Sequence, residues 1–304
     1  MFSKLSLLSL TSVLALTLTA CGGDKAKDVD MSNLASEPVI FSVTDADSEI
    51  ILYPTFHILP EGVEWQSEAL TAALERTEEI WYEIPAGAET DPAFQQMTMQ
   101  LGMSPDNPLS KSLPEETYAK LQAAATEMGF PIENLEPMRP WMASIVIPVV
   151  QMMQAGYNPE LGVEARLQAM VTDKPVKAFE TAEQQLRFLA DMPEADQIAM
   201  LESTLEDLDE GKEMIAKMVT AWSTGDMNYL ETEMVNEMKV DYPGVYDVMI
   251  KKRNDTWVER LDQEMQGSGV DFVAVGAAHL IGEDGVPEQL LEKGYKVKVL
   301  TKVK

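Results

Sequence analysis

A chain of 304 residues, 45% hydrophobic and 24% charged, can bury a large core and is too apolar for a disordered protein. Its formal net charge of −28 excludes nucleic acid as a partner, because a polyanion would be repelled. One Cys rules out an internal disulfide framework or a thiolate zinc cluster, and two His narrow the available acid–base and metal chemistry.

In chain order, Lys4 and the apolar stretch Leu5 to Leu18 read as a secretory signal, too short to span a bilayer comfortably. The stretch ends in Leu18-Thr19-Ala20-Cys21, which resembles a bacterial lipobox. The expectation is cleavage before Cys21, lipid on Cys21 and a bilayer as partner, since several acyl chains anchor stably. Gly22, where an inner-membrane retention signal has Asp, favours the outer membrane of a Gram-negative envelope. Residues 1–20 are therefore read as a lipoprotein signal peptide, 21–37 as lipidated Cys and tether, and 38–304 as the folded domain.

Val39 to Val43 and Ile50 to Tyr53 read as strands around a turn at Asp45-Ala46-Asp47-Ser48. Ser67 caps a helix running to Glu78, and Glu79 to Ile84 is a strand closed by Pro85. From about 91 to 250 the pattern is mostly helical, with helices expected at Pro114–Met128, Met142–Gln154, Glu183–Ala190, Glu194–Thr220, Tyr229–Val240 and Val245–Met265. Pro148 should kink the second of these, and Pro175 to Phe179 is a possible strand. Asp271 to Val275 is a strand, Pro287 to Lys293 a helix, and Lys296 to Thr301 a last strand. Strands at both ends with helices between predict an α/β (α+β) domain, its mixed sheet built from both ends of the chain around a large helical insertion. The ends also echo each other. Strand, His57, Gly62-Val63, helix, strand is answered by strand, His279, Gly285-Val286, helix, strand, which suggests a duplication with pseudo-twofold symmetry.

Both histidines follow the carboxyl end of a strand, the edge where α/β folds bind ligands. If the halves pair, His57 and His279 converge, and Glu83, at the end of its own strand, is placed to join them around a divalent metal. The plainer alternative is that each is a satisfied cap or core histidine, and spacing alone leans that way. No HExxH, GxSxG, GxGxxG or Walker sequence is present. Arg253 and Trp257 share a helical face, four residues apart, where the Arg stem can stack on the indole. Glu180-Thr181 opens a helix after a strand, a pattern ordinary capping explains.

Val275-Gly276-Ala277-Ala278-His279-Leu280, with Gly285-Val286 and Gly294-Tyr295-Lys296-Val297, resembles the most specific pattern of the TraB/GumN family, relatives of the Tiki membrane-anchored proteases. Pro54-Thr55-Phe56-His57 resembles its first His motif, and Trp81-Tyr82-Glu83 falls where the family has its acidic residue. Arg139-Pro140-Trp141, Gly156-Tyr157, Gly162-Val163-Glu164, Phe179-Glu180-Thr181 and Arg253-Asn254-Asp255-Thr256-Trp257 resemble further landmarks, and the similarity runs over about residues 38–304. The resemblance implies a pseudo-twofold domain with two Gly-x-x-His motifs around a site for manganese or cobalt, with zinc as a further option, that supports peptide hydrolysis. His57 and His279 would be ligands and Glu83 a ligand or general base. Arg253 would stabilise an oxyanion or hold a substrate carboxylate, with Glu180, Asn254 and Gly276 supporting the site or the substrate. The implied function is a lipid-anchored metal-dependent hydrolase of peptides or proteins; the alternative is a non-catalytic binding or assembly protein that keeps the fold. One departure stands out: Pro54 occupies the Gly position of the first motif. If that loop needs positive φ or the missing N–H, His57 should be displaced.

Overall fold

Five strands from the two ends of the chain and one from its middle form the main sheet of the computed structural model, side by side in the order Val176–Ala178, Glu79–Tyr82, Gly269–Gly276, Ser48–Thr55, Phe41–Thr44, Lys296–Val299. The structure describes residues 37–206 and 208–301. The signal, Cys21 and the tether as far as residue 36 lie outside the described residues. β1 (Phe41–Thr44) and β2 (Ser48–Thr55) form the expected hairpin, whose turn is tied by Asp45 Oδ1 accepting from the N–H groups of Asp47 and Ser48. β2, β4 (Glu79–Tyr82), β6 (Val176–Ala178) and β7 (Gly269–Gly276) run parallel, and β8 (Lys296–Val299) lies antiparallel on β1. A separate two-stranded pairing joins β3 (Leu59–Pro60) to β5 (Tyr157–Asn158).

The duplication is visible in the connections. β2 leads through helix Glu68–Arg76 to β4, which lies beyond β7; β7 leads through helix Val286–Glu292 to β8, which lies beyond β2 and β1. The two crossovers leave adjacent strands in opposite directions, and right-handed connections of that kind place their helices on opposite faces. Packing agrees. Leu70, Ala73 and Leu74 of the first helix join the large core on one face, with Ile51, Tyr53 and Phe272, whereas Val286 and Leu290 of the second pack with Leu52, Val273 and Trp257 on the other. β2 and β7 therefore flank a topological switch point, where α/β sheets bind ligands beyond the strand carboxyl ends.

Local chemistry explains most boundaries. Ser67 accepts from the Leu70 N–H and starts its helix one residue after the expected position. Helix Glu115–Glu127 stops at Gly129, whose φ of +62° allows the backbone to turn and Phe130 N–H to reach Ala125 carbonyl. Thr181 and Gln184 form a capping box on helix Ala182–Ala190. Helix Pro140–Gln154 begins two residues before the expected start and contains Pro148 without interruption. The long helix expected from Glu194 is helical on both sides of residue 207, as Glu194–Glu206 and Leu208–Thr224.

The possible strand at Pro175–Phe179 is present as β6, which comes from inside the insertion and joins the edge of the main sheet. One expectation differs from the structure. The two helical runs after residue 226 each contain a π-helical turn, Glu231–Asn236 and Asp247–Lys251. The second turn leads directly into helix Lys252–Glu264, which carries Arg253 and Asn254, and such turns recur at functional sites.

Candidate functional site

Four neighbouring parallel strands each deliver one polar side chain just past their carboxyl ends. Across the sheet these are Glu180 after β6, Glu83 after β4, His279 after β7 and His57 after β2. The meeting point is Gly276, the last residue of β7, paired in register with Thr55. A Cβ built on Gly276 would lie 3.1 Å from Glu83 Oε1, 3.7 Å from His279 Cδ2 and 3.8 Å from His57 Nε2. Its φ of −50° is ordinary for any residue, so what glycine supplies here is space for the three side chains.

Arg253 is the hub of the polar network. Its guanidinium takes Glu180 through two bonds of 2.8 and 2.9 Å and Glu83 Oε2 at 2.6 Å, and it donates to Met249 carbonyl at 3.1 Å, inside the π-helical turn. Its side chain is 2% exposed, and its Cζ lies 4.8 Å from the Trp257 ring, the stacking the helical spacing predicts. Trp257 Nε1 donates to Glu180 Oε1 at 3.0 Å, and its ring packs on His279 with centroids 4.3 Å apart. Glu83 accepts in addition from Gly276 N–H at 2.8 Å and from Gln185 Nε2 at 2.9 Å. Burial pushes the Glu83 carboxyl up, but Arg253, the two histidines and the Gly276 N–H together outweigh it and hold the group well below the usual carboxylate range.

The two histidines are in different states. Arg253 Nη1 lies 3.1 Å from His279 Nε2 and can only donate, so Nε2 is an acceptor and the ring proton sits on Nδ1, which donates to Asn254 Oδ1 at 2.6 Å. Asn254 is oriented by giving its amide hydrogens to the carbonyls of His279 and Asp284. Burial, then Arg253, pushes His279 down to about 3. Burial also opposes charge on His57, but Glu164, at 2.7 Å from Nδ1, and more distantly Glu83 and Glu89 raise it to about 9. Glu89, in the loop after β4, is raised to about 7 by burial.

The site therefore gathers four carboxylates, Glu83, Glu89, Glu164 and Glu180, against one permanent cation. That surplus favours a further positive charge. The donor set of two imidazoles and a carboxylate suits manganese, cobalt or zinc. His279 Nε2 and Glu83 Oε1 are 3.9 Å apart, inside the roughly 4.3 Å that two bonds of about 2.0–2.2 Å can span. His57, Glu83 and His279 would hold such an ion beside Gly276. Ligation by all three requires Arg253 Nη1 to leave His279 Nε2 and the three groups to draw closer. Among the described residues, the carboxylates that bring one oxygen each within 4.8 Å of one another are Glu79, Glu264 and Asp271, at the opposite end of the strands. Lys177 already pairs with two of them, at 2.7 and 3.3 Å. A cavity of about 330 Å³ opens at that end, whereas Glu83, Arg253 and His279 of the candidate site are buried.

Pro54 does not displace His57. Its carbonyl accepts from Trp222 Nε1 at 3.0 Å. Because N–H and C=O of a strand residue point to the same side, the missing N–H faces Trp222 and costs no bond to β7. No non-glycine residue among those described has positive φ, so the conformation is one proline tolerates. Sequence reasoning placed His57, His279, Glu83, Arg253, Glu180, Asn254 and Gly276 in one neighbourhood, and the structure brings them together. Glu164 and Thr55 lie within the landmarks Gly162-Val163-Glu164 and Pro54-Thr55-Phe56-His57 without a role that the sequence assigns, and no local motif flags Glu89 or Gln185.

Together these features define an α/β protein with a buried Glu–Arg–Glu network and two histidines at a sheet switch point. The chain belongs to the TraB/PrgY/gumN family, whose model matches residues 39–299. It is similar to the uncharacterized protein YbaP of Escherichia coli (strain K12), with 28% identity over 184 residues, covering 60% of this chain and 67% of that one. A protein of the same name from Shigella flexneri matches with the same identity and coverage. No solved structure matches the chain.

Proposed function

We propose that the protein is a metal-dependent hydrolase of peptides or proteins, held to the cell envelope through lipid on Cys21. The observation that carries this reading is the convergence of His57, Glu83 and His279 around Gly276 at the switch point. A bound divalent ion would supply Lewis acidity and a water of lowered pKa. The chain's own residues supply the rest: His57, His279 and Glu83 hold, Glu83 is also placed to relay a proton, and Arg253 faces any negative charge that develops beside His279. Outer-membrane attachment follows from Leu18-Thr19-Ala20-Cys21-Gly22. None of the helices among the described residues is long and apolar enough to cross a membrane.

The test is equilibrium uptake of manganese, cobalt and zinc by the protein, with cleavage of unstructured peptides measured in parallel. About one ion per chain, lost in both His57→Ala and His279→Ala, together with metal-dependent cleavage is the expected result. No uptake above background sinks the reading. Radiolabelled palmitate incorporation, abolished by Cys21→Ser, tests the anchor.

A second reading is favoured by how closed the site is. Arg253 and His279 side chains are 2% exposed, Glu83 7% and His57 11%. A non-catalytic binding or assembly protein would keep such a network for rigidity, and it predicts no metal uptake with an intact fold.

A further inference from the structure

The network around Arg253 accounts for His279 and Glu83 but leaves open what holds His57. The loop Phe56–His57 follows β2 and meets the first turn of helix Val163–Met170. Three contacts join them. Val163 N–H donates to Phe56 carbonyl at 3.0 Å. Gly162 packs so closely on His57 that a Cβ there would collide with the His57 carbonyl oxygen. The third contact is Glu164, whose Oε1 lies 2.7 Å from His57 Nδ1 and accepts the Thr55 hydroxyl as well.

We propose that Glu164 is the positioning residue for His57: its carboxylate fixes the ring with the proton on Nδ1 and turns Nε2 toward Gly276. An acid in a helical first turn is commonly explained by the helix dipole, but that role needs no second partner and is met at the surface. Glu164 instead receives donors from β2 and from the loop beyond it, and its side chain is 18% exposed. Its Oε2 is buried with no hydrogen-bond partner among the described residues, a cost a capping acid would avoid by turning outward. Thr55 sits opposite Gly276 in the β2–β7 register, so Thr55, Glu164 and His57 form a chain of contacts that begins and ends beside Gly276. A carboxylate on the outer nitrogen of an imidazole sets its tautomer and orientation and raises its strength as a ligand. Gly162 has a matching part: it lets the Glu164 turn approach the His57 backbone, so one helix start fixes both ring and main chain.

The proposal rests on the reading of His57 as a ligand for its purpose but not for its geometry, so the experiment has two arms. The first uses metal-free full chain labelled with nitrogen-15 at histidine; with two His in the protein, each ring is resolved. A hydrogen-bonded Nδ1–H is expected for both rings. Glu164→Ala should abolish the His57 signal and leave that of His279 unchanged, whereas Glu164→Gln, which keeps an acceptor oxygen, should retain it at a shifted position. The second arm titrates manganese and cobalt into the same proteins. Glu164→Ala should weaken binding by roughly 10–100-fold, the usual effect of losing an outer partner of a ligand histidine, and Glu164→Gln should weaken it less. Circular dichroism and urea unfolding identify a variant that has lost its fold, in which case Glu164→Gln carries the comparison. An unchanged His57 Nδ1–H in folded Glu164→Ala overturns the proposal. If the parent binds no metal while the first arm succeeds, the hydrolase reading fails and the positioning role stands.

Discussion

Arg253 donates to His279 across 3.1 Å, and because a guanidinium cannot accept, this contact decides where the proton on the histidine sits. The same Arg is shared by Glu83 and Glu180, so the electrostatics of the site turn on a charge that does not titrate.

Opposite titration of the two rings follows. His279, with its pKa pushed down to about 3, should be neutral, and His57, raised to about 9, should be charged at neutral pH. In metal-free protein, neither ring should change charge between about pH 5 and 7.5, the range in which a free imidazole of pKa about 6.5 titrates. The signs for stability differ. The charged form of His57 is favoured by folding, so its contribution is complete below about 6.5 and is lost as pH rises through about 9. His279 is neutral in the fold, so its contribution is complete above about 6.5 and is lost as pH falls toward about 3. Histidine chemical shifts followed against pH check both; a ring titrating near 6.5 contradicts the assignment.

Replacing Arg253 by Met should destabilise the fold by about 3–5 kcal/mol, because Glu83 and Glu180 would be left buried without their cation. Urea unfolding at neutral pH measures the loss. A change below about 1 kcal/mol would mean that the carboxylates find other partners or become protonated at little cost.

Gly276→Ala tests the close approach at Gly276. The added methyl would sit 3.1 Å from Glu83 Oε1, and the φ of −50° imposes no backbone penalty. The expected cost is about 1–3 kcal/mol of overpacking, accompanied by loss of metal uptake in a protein that still folds. Retained uptake at parental affinity would show that the ion does not bind beside Gly276.

Pro54→Gly restores the residue the His motif has elsewhere, yet the structure gives it nothing to repair. Metal affinity should stay unchanged, and stability should fall by about 0.4–1 kcal/mol because the unfolded chain gains freedom. A gain in affinity would falsify the view that the Pro54 conformation leaves His57 in place.

Much of this architecture can be read from the sequence because it rests on short-range signals. The Ser67 cap, the Gly129 stop and the apolar run of β7 are local, and each element lies close to its expected place. The echo between the two histidine segments is also visible in the sequence, because it repeats one order of elements. What escapes is contact across distance. Gln185 reaches Glu83 over 102 positions and Glu164 reaches Thr55 over 109, and no pattern around either residue marks such a partner. The π-helical turn before Arg253 escapes for another reason: one extra residue per turn hardly disturbs helical periodicity over so short a span.

The pairing of β2 with β7 bears on how the molecule comes into being. These central neighbours are more than 200 positions apart in the chain, so the sheet cannot close until almost all of it has been synthesised. A chain stopped short of residue 269 lacks the middle strand, Gly276 and His279 together. Assembly of the candidate site and completion of the sheet are thus one late event, and an unfinished copy lacks one of the two histidines together with the strand that places it.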